Sequence, residues 1–197
     1  GDIVDVQLTK SKKDWAEGKA IRFHQYSEDR VEPFCDHFGI CGGCKWQMLP
    51  YEKQLEYKEN EVAQHLRRIG KVDLPPIQKI IGADKITQYR NKLEFTFSSK
   101  RYVSHGELSG KSREEADLLF NRPALGFHVP KIFDKVIDIR ECYLQAEPSN
   151  KIRNELREFV LKKGFSFYDI RAHQGWLRNM MIRLCSTGEL MVNLIFG

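Results

Sequence analysis

The sequence lacks the features that mark membrane and secreted proteins. None of its 197 residues lies in a run approaching 18 apolar residues, which excludes a transmembrane helix, and no secretory signal is visible. It also lacks internal repeats and low-complexity tracts. With 41% hydrophobic and 30% charged residues, the composition predicts a globular chain that is soluble and cytoplasmic.

Acidic residues are only slightly fewer than basic ones. The chain has 27 Asp and Glu against 32 Lys and Arg, and its pI is about 8.9. Such a balance weakly favours a polyanionic partner. Between Lys151 and Arg183 there are eight basic and three acidic residues, so this stretch forms either a basic surface or the solvated face of a helix.

Cysteines are few, and their spacing is uneven. The total of five is odd, which argues against a disulfide framework in a chain without a secretory signal. Three of them, Cys35, Cys41 and Cys44, follow the pattern C-x5-C-x2-C, and Cys142 stands far from them in DIRECYLQ. Clustered thiolates favour a soft metal centre. Cys185 alternates within a predicted strand and is expected to be a small buried core residue.

The spacing favours an iron–sulfur cluster over zinc. A structural zinc site usually takes two C-x2-C pairs, and only Cys41 and Cys44 form one here. Three ligands from one loop and one remote thiolate are typical of a [4Fe–4S] cluster. Glycines in the loop permit tight turns around the sulfurs: Gly39, Gly42 and Gly43. Zinc remains open, with two further candidate ligands, His24 and His37.

Periodicity predicts an α+β chain built on a mixed or antiparallel sheet with two main helices. The helices are expected from Pro50 to Ile69 and from Lys151 to Lys163, the second capped by Ser149 or Asn150. Strands are expected at 3–10, 17–26 and from about 88, then in ALGFHV, KVIDI, FSFYDIRAH, WLRNMMIRLC and ELMVNLIFG, with a hairpin at STG. Because the sequence stops on an apolar strand, we expect an excised fragment.

Several strings resemble one family when read in order. RVEPFCDHFGICGGCKWQ, YEKQLEYKE, QYRNKLEFTF, VIDIRECYL and WLRNMMIR resemble the RNA uracil-5-methyltransferases with an N-terminal TRAM domain, the 23S rRNA group. The resemblance implies a [4Fe–4S] cluster on Cys35, Cys41, Cys44 and Cys142. It implies that residues 1–30 end a TRAM barrel, an OB-like RNA-binding module, and that residues 31–197 are the central domain, with an iron–sulfur loop. A polar insertion around Lys100–Arg122 departs from the family pattern.

The same resemblance implies the activity of the parent protein. It would form 5-methyluridine in 23S rRNA, with S-adenosylmethionine as donor, through a thiolate that adds to C6 of uracil. The donor site and that thiolate belong to a C-terminal Rossmann-like domain. No glycine-rich turn after a parallel strand is found here, so that domain is expected to be absent and the fragment inactive alone. The expected partner is RNA, not DNA.

The expected contribution of this fragment is RNA binding. Basic side chains neutralise phosphates, and aromatic or guanidinium planes stack on splayed bases. The candidates near strand starts are Arg90, Asn91, Lys92 and Arg178, with Lys12 and Lys13 in the barrel loop. Alternation could also place these side chains on a solvent face without function. A non-catalytic iron–sulfur or zinc RNA-binding module is the alternative function.

Overall fold

A computed structural model describes all 197 residues. The chain forms two compact units. The first comprises Gly1–Phe34 and Trp46–Gly82, and the second comprises Cys35–Lys45 and Ala83–Gly197. None of the helices is long and apolar enough to cross a membrane.

The first unit contains a two-stranded ribbon and a helix. Strands β1 (Ile3–Ser11) and β2 (Ala16–Gln25) pair antiparallel, as the alternation predicts. Helix α1 (Tyr51–Gln64) begins after Pro50 and continues as a π-helical turn over His65–Ile69. The strands and the helix expected in this part of the chain are therefore confirmed.

The predicted apolar stripe of this helix is only partly correct. Tyr51 and Leu55 are half-buried, but Val62 and Ile69 are 57% and 75% exposed. The helix turns Ala63 inward instead. Beyond it the π-helical turn breaks the spacing of 3.6 residues on which the prediction depends.

The second unit is built on a five-stranded antiparallel sheet in the order β5-β4-β3-β6-β7. Its strands are β3 (Lys92–Ser98), β4 (Ala124–His128), β5 (Val136–Asp138), β6 (Leu177–Leu184) and β7 (Leu190–Phe196). Two short helices, α2 (His105–Leu108) and α3 (Arg113–Phe120), lie in the polar insertion, each opened by a serine capping box. Helix α4 (Ser149–Lys162) follows β5. The α+β class is thus confirmed, and the sheet is antiparallel.

The two faces of this sheet differ in chemistry. Leu93, Phe95 and Phe97 alternate along β3 into the core, where they meet the buried Met180 and Ile182 of β6. Helix α4 adds Val160 to the same cluster. The intervening residues Lys92, Glu94 and Thr96 are more exposed and define the outer face.

Two local predictions are wrong. FSFYDIRAH is not a strand, because the Asp169 carboxylate accepts hydrogen bonds from the backbone N–H groups of Arg171 and Ala172 (2.9 and 3.1 Å) and closes a turn there. Cys185 is exposed rather than buried, because β6 ends at Leu184 and Cys185 begins the hairpin turn. That turn itself is confirmed, with Gly188 at φ +101°.

Candidate metal centre and nucleic-acid surface

The loop Cys35–Lys45 is folded by close backbone turns next to its cysteines. The N–H of Phe38 bonds the carbonyl of Cys35 (2.9 Å), and the N–H of Cys41 bonds the carbonyl of His37 (2.8 Å). Between them Gly39 has φ +85°, a conformation that other residues rarely adopt. The N–H of Gly43 then points at the Cys41 Sγ over 3.4 Å. Close turns therefore direct backbone dipoles at the thiol positions.

The remote cysteine, Cys142, is fixed by the first turn of α4. Its N–H donates to Asn150 Oδ1 (2.9 Å), and its carbonyl accepts from Asn150 Nδ2 (3.3 Å). The predicted capping role is therefore wrong: Asn150 bonds back to Cys142, and the Ser149 hydroxyl donates to the buried Gln145 Oε1. Cys142 is 9% exposed and belongs to the core cluster.

The four predicted cysteines all lie in the second unit. Cys41 and Cys44 pack against the same core as Cys142. Burial raises the pKa of the Cys35, Cys41 and Cys142 thiols, and the charge of Cys44 raises each further. Backbone N–H groups of His37, Gly43 and Leu144 oppose that rise in pKa. All four cysteines are free of disulfides.

A buried cation lies beside these thiols. Arg153 of α4 is 0% exposed, and its guanidinium stacks 4.9 Å from the centre of the Phe95 ring. Its Nε donates to the Ile139 carbonyl (3.0 Å), but Nη1 and Nη2 are buried without a hydrogen-bond partner. Burial lowers the pKa of Arg153, and the largest opposing influence is the charge of Cys142. A buried guanidinium is costly unless it faces an anion, and the neighbouring thiols would supply one only when deprotonated, as metal binding requires.

No group of three or more His, Cys, Asp and Glu side chains in the structure is arranged to hold a metal ion. Of the two histidines weighed as zinc ligands, His37 lies beside the predicted ligand Cys35 and His24 lies in the other unit. His37 Nδ1 lies 4.0 Å from the Cys35 Sγ, and His24 pairs with Asp5 on the β-ribbon of the first unit (2.8 Å).

Three of the expected RNA-binding residues lie at one end of β3. Arg90, Asn91 and Lys92 are all exposed. Lys92 stands directly opposite Arg183 of β6 in the antiparallel register. Like charges that face each other across strands are destabilising, so an anion bound there would reduce the repulsion between Lys92 and Arg183. The sequence did not predict Arg183 as an RNA-binding residue, because only the strand register places it beside Lys92.

Arg178 does not join this basic end. It precedes Asn179, which pairs with Thr96 four residues along β3 from Lys92, a separation of about 14 Å. Its guanidinium lies 5.0 Å from the centre of the Tyr168 ring. Lys12 and Lys13 are exposed in the turn between β1 and β2, where the Lys12 ammonium lies 5.5 Å from the Trp15 ring.

Comparison with known proteins gives the chain a context. No protein-family model matches it. It is 48% identical over 196 residues to an uncharacterized RNA methyltransferase of Bacteroides thetaiotaomicron, covering 99% of this chain and 42% of that protein. It is similar to RNA methyltransferases along its whole length. A second such relative, from Porphyromonas gingivalis, is 45% identical over 201 residues, covering 100% of this chain and 42% of its own length.

A solved structure agrees with these relatives. The Pyrococcus abyssi tRNA (uracil-54, C5)-methyltransferase, crystallised with S-adenosyl-L-homocysteine, matches with a TM-score of 0.61 and 25% identity. The match covers 100% of this chain and 39% of that one. The chain thus spans about two fifths of the length of the methyltransferases it matches.

Proposed function

We propose that this chain is part of an RNA uracil-5-methyltransferase, in which it binds RNA and surrounds an iron–sulfur cluster. The observation that carries the proposal is the 48% identity to an RNA methyltransferase over 99% of the chain. The choice of uracil C5 as target is supported by the structural likeness to a tRNA uracil C5-methyltransferase.

The proposal of a [4Fe–4S] cluster rests on the thiol chemistry of the four cysteines and not on a metal-holding arrangement in the structure. Cys35, Cys41, Cys44 and Cys142 would supply the four thiolates that hold it. Two observations support the proposal: backbone N–H groups point at the sulfurs, and Nη1 and Nη2 of Arg153 are buried without a hydrogen-bond partner, where a nearby anion would compensate their charge. The cluster would crosslink the cysteine loop to the segment before α4. Its role would be structural, because methyl transfer from S-adenosylmethionine needs no electron from a cluster.

The RNA-binding role rests on the basic end of β3 and β6. Arg90, Lys92 and Arg183 are exposed cations on neighbouring chain segments, as phosphate binding requires. On the β1–β2 ribbon, Lys12 and Lys13 stand beside the exposed Trp15. The ribbon also exposes apolar side chains of both strands, which supports its assignment to a larger OB-like barrel of the TRAM type over residues 1–30. Residues 31–197 would then form the central domain.

The methyl-transfer chemistry is assigned to the part of the relatives that this chain does not span. Bound S-adenosylmethionine would supply the methyl group for C5 of uracil. Cys185 is not the proposed nucleophile, since it lies in an exposed hairpin turn and does not match the family's nucleophile position. The residues of this chain hold the RNA and keep the fold around the cysteines rigid.

The RNA class has two candidates. The family resemblance of the sequence favours 23S rRNA, whereas the solved relative acts on uracil 54 of tRNA. Incubating the parent protein with radiolabelled S-adenosylmethionine and either transcript decides between them. We expect label at C5 of uridine in one RNA. Tight RNA binding without any methyl transfer would favour a non-catalytic RNA-binding module instead.

The binding surface is tested with two variants of this chain. Lys92→Gln and Arg183→Gln should each weaken binding of a labelled single-stranded RNA. Each should also lower the slope of log Kd against the logarithm of salt concentration by about one. Lys151→Gln is the matched control, because Lys151 is an exposed cation on α4 (71%) that pairs with Glu155 instead. An equal loss in all three variants would contradict a specific RNA surface.

A further inference from the structure

A small cleft opens at the opposite end of the β3–β6 pair from Lys92 and Arg183. It has a volume of about 210 Å³ and lies where Thr96 pairs with Asn179. Drug-sized ligands occupy pockets of roughly 300–1,000 Å³, so this cleft suits a smaller group. All the residues that line it belong to the second unit.

Two aromatic rings line the cleft, and an arginine guanidinium lies near each ring. Phe133 is 59% exposed and lies 5.1 Å from the Arg171 guanidinium. Tyr168 lies 5.0 Å from that of Arg178. Aromatic faces and guanidinium planes are the two surfaces on which proteins stack unpaired bases.

The floor of the cleft supplies hydrogen-bonding groups with spare capacity. Asn179 Nδ2 donates to Thr96 Oγ1 over 3.4 Å, a long bond that leaves most of the four hydrogen bonds of an amide for a ligand. His128 also lines the cleft. Burial lowers the pKa of His128, which favours the neutral ring; its N–H donates to the Phe133 backbone, so the other ring nitrogen is left as an acceptor. An amide and a neutral imidazole match the edge of a base.

The charges of the cleft favour an anion at its mouth. Asp134, which lines the cleft, is held by Arg171 (2.5 Å) and Lys135 (3.7 Å). Asp169 does not line the cleft but lies between two lining residues, Tyr168 and Ile170, and is held by Lys100 (3.2 Å). Both carboxylates are therefore balanced by cations. Arg178 contacts an aromatic ring rather than a carboxylate, so its positive charge is left for a phosphate.

We propose that this cleft is a subsite for one unpaired nucleobase of the bound RNA. The base stacks on Phe133 and Tyr168, Asn179 and His128 bond its edge, and Arg178 contacts its phosphate. The assignment rests on the proposed RNA-binding function and adds a site that reads bases to the surface that binds phosphates.

The test compares two probes by fluorescence anisotropy with the full chain purified under argon. One is a ten-nucleotide single-stranded RNA of mixed sequence, and the other has the same backbone without bases. We expect the chain to bind the first at least about fivefold tighter, as a stacked base requires. Phe133→Ala and Asn179→Ala should bring this ratio towards one and leave the affinity for the abasic strand unchanged.

Phe159→Ala is the matched control, since Phe159 is a similarly exposed ring (52%) on α4 that does not line the cleft. It should keep the wild-type ratio. Equal affinity of the wild-type chain for both probes, or an unchanged ratio in the Phe133 and Asn179 variants, would overturn the base subsite alone. Failure to bind either probe would overturn the RNA-binding function together with the subsite.

Discussion

Replacing Arg153 by methionine tests whether a buried anion occupies the cysteine centre. The guanidinium is fully buried with two unpartnered Nη groups. If the cluster is present, the substitution leaves its negative charge uncompensated and should cost about 3–5 kcal/mol of stability. In the cluster-free protein the same change removes an isolated buried cation, and it should be neutral or stabilising by about 1–4 kcal/mol.

The contrast between the two forms isolates the electrostatic effect. Losing the bond to Ile139 and the stacking on Phe95 affects both forms alike, so these contributions cancel in the difference. If Arg153→Met changes the stability of the two forms by amounts that differ by about 3 kcal/mol, linkage requires that the variant bind the cluster roughly a hundredfold more weakly. Urea unfolding under argon, with and without the cluster, measures the stabilities, and the rate of iron release to a chelator gives a second readout.

Arg157→Met provides the control one helical turn later. Arg157 is also buried (8% exposed), but its Nη2 is paired with Asp138 at 2.5 Å. Its loss should destabilise both forms equally and leave iron release unchanged. A change of the same sign and size for Arg153→Met in both forms would refute the reasoning that Arg153 balances an anionic centre.

Three further predictions concern single residues of the second unit. Cys142→Ser should lose the cluster and lower the melting temperature seen by circular dichroism; a cluster-free variant as stable as wild type would refute the structural role. Asn150→Ala removes both bonds to the Cys142 backbone and should cost about 1–3 kcal/mol in urea unfolding, with Asn154→Ala on the next turn as its comparison. Arg171 holds the pKa of Asp134 below its ordinary value, so this contribution to stability is complete above about pH 4 and is lost as pH falls through the lower folded-state pKa. Melting temperatures between about pH 6 and pH 2 should therefore fall less steeply for Asp134→Asn than for wild type.

Local patterns predicted the parts of the fold that local chemistry decides. The alternation of Leu93, Phe95 and Phe97 marked β3 because the sheet buries only one of its faces there. Cysteine spacing predicted a metal centre because three cysteines share one short loop, and this centre stays a prediction. Cys142, the predicted fourth ligand, lies in a segment tied to α4 by Asn150, a contact that no spacing reveals.

The missed features depend on contacts between distant segments. Arg153 and Arg157 look like the polar face of α4, yet both are buried. Arg153 packs on Phe95 and bonds the Ile139 carbonyl, and Arg157 pairs with Asp138. The Lys92–Arg183 pair exists only through the register of β3 and β6. The cleft likewise joins residues from β3, β4, β6 and two loops, so its composition could not be read from any one stretch.

The central claim is that four thiolates of this chain hold one iron–sulfur cluster. Iron, zinc and acid-labile sulfide assays on the chain purified under argon test it most directly, alongside Mössbauer spectroscopy. The account predicts four iron and four sulfide per chain, lost together in Cys142→Ser and retained in Cys185→Ser. Stoichiometric zinc without sulfide, or a full iron and sulfide content in Cys142→Ser, would contradict it.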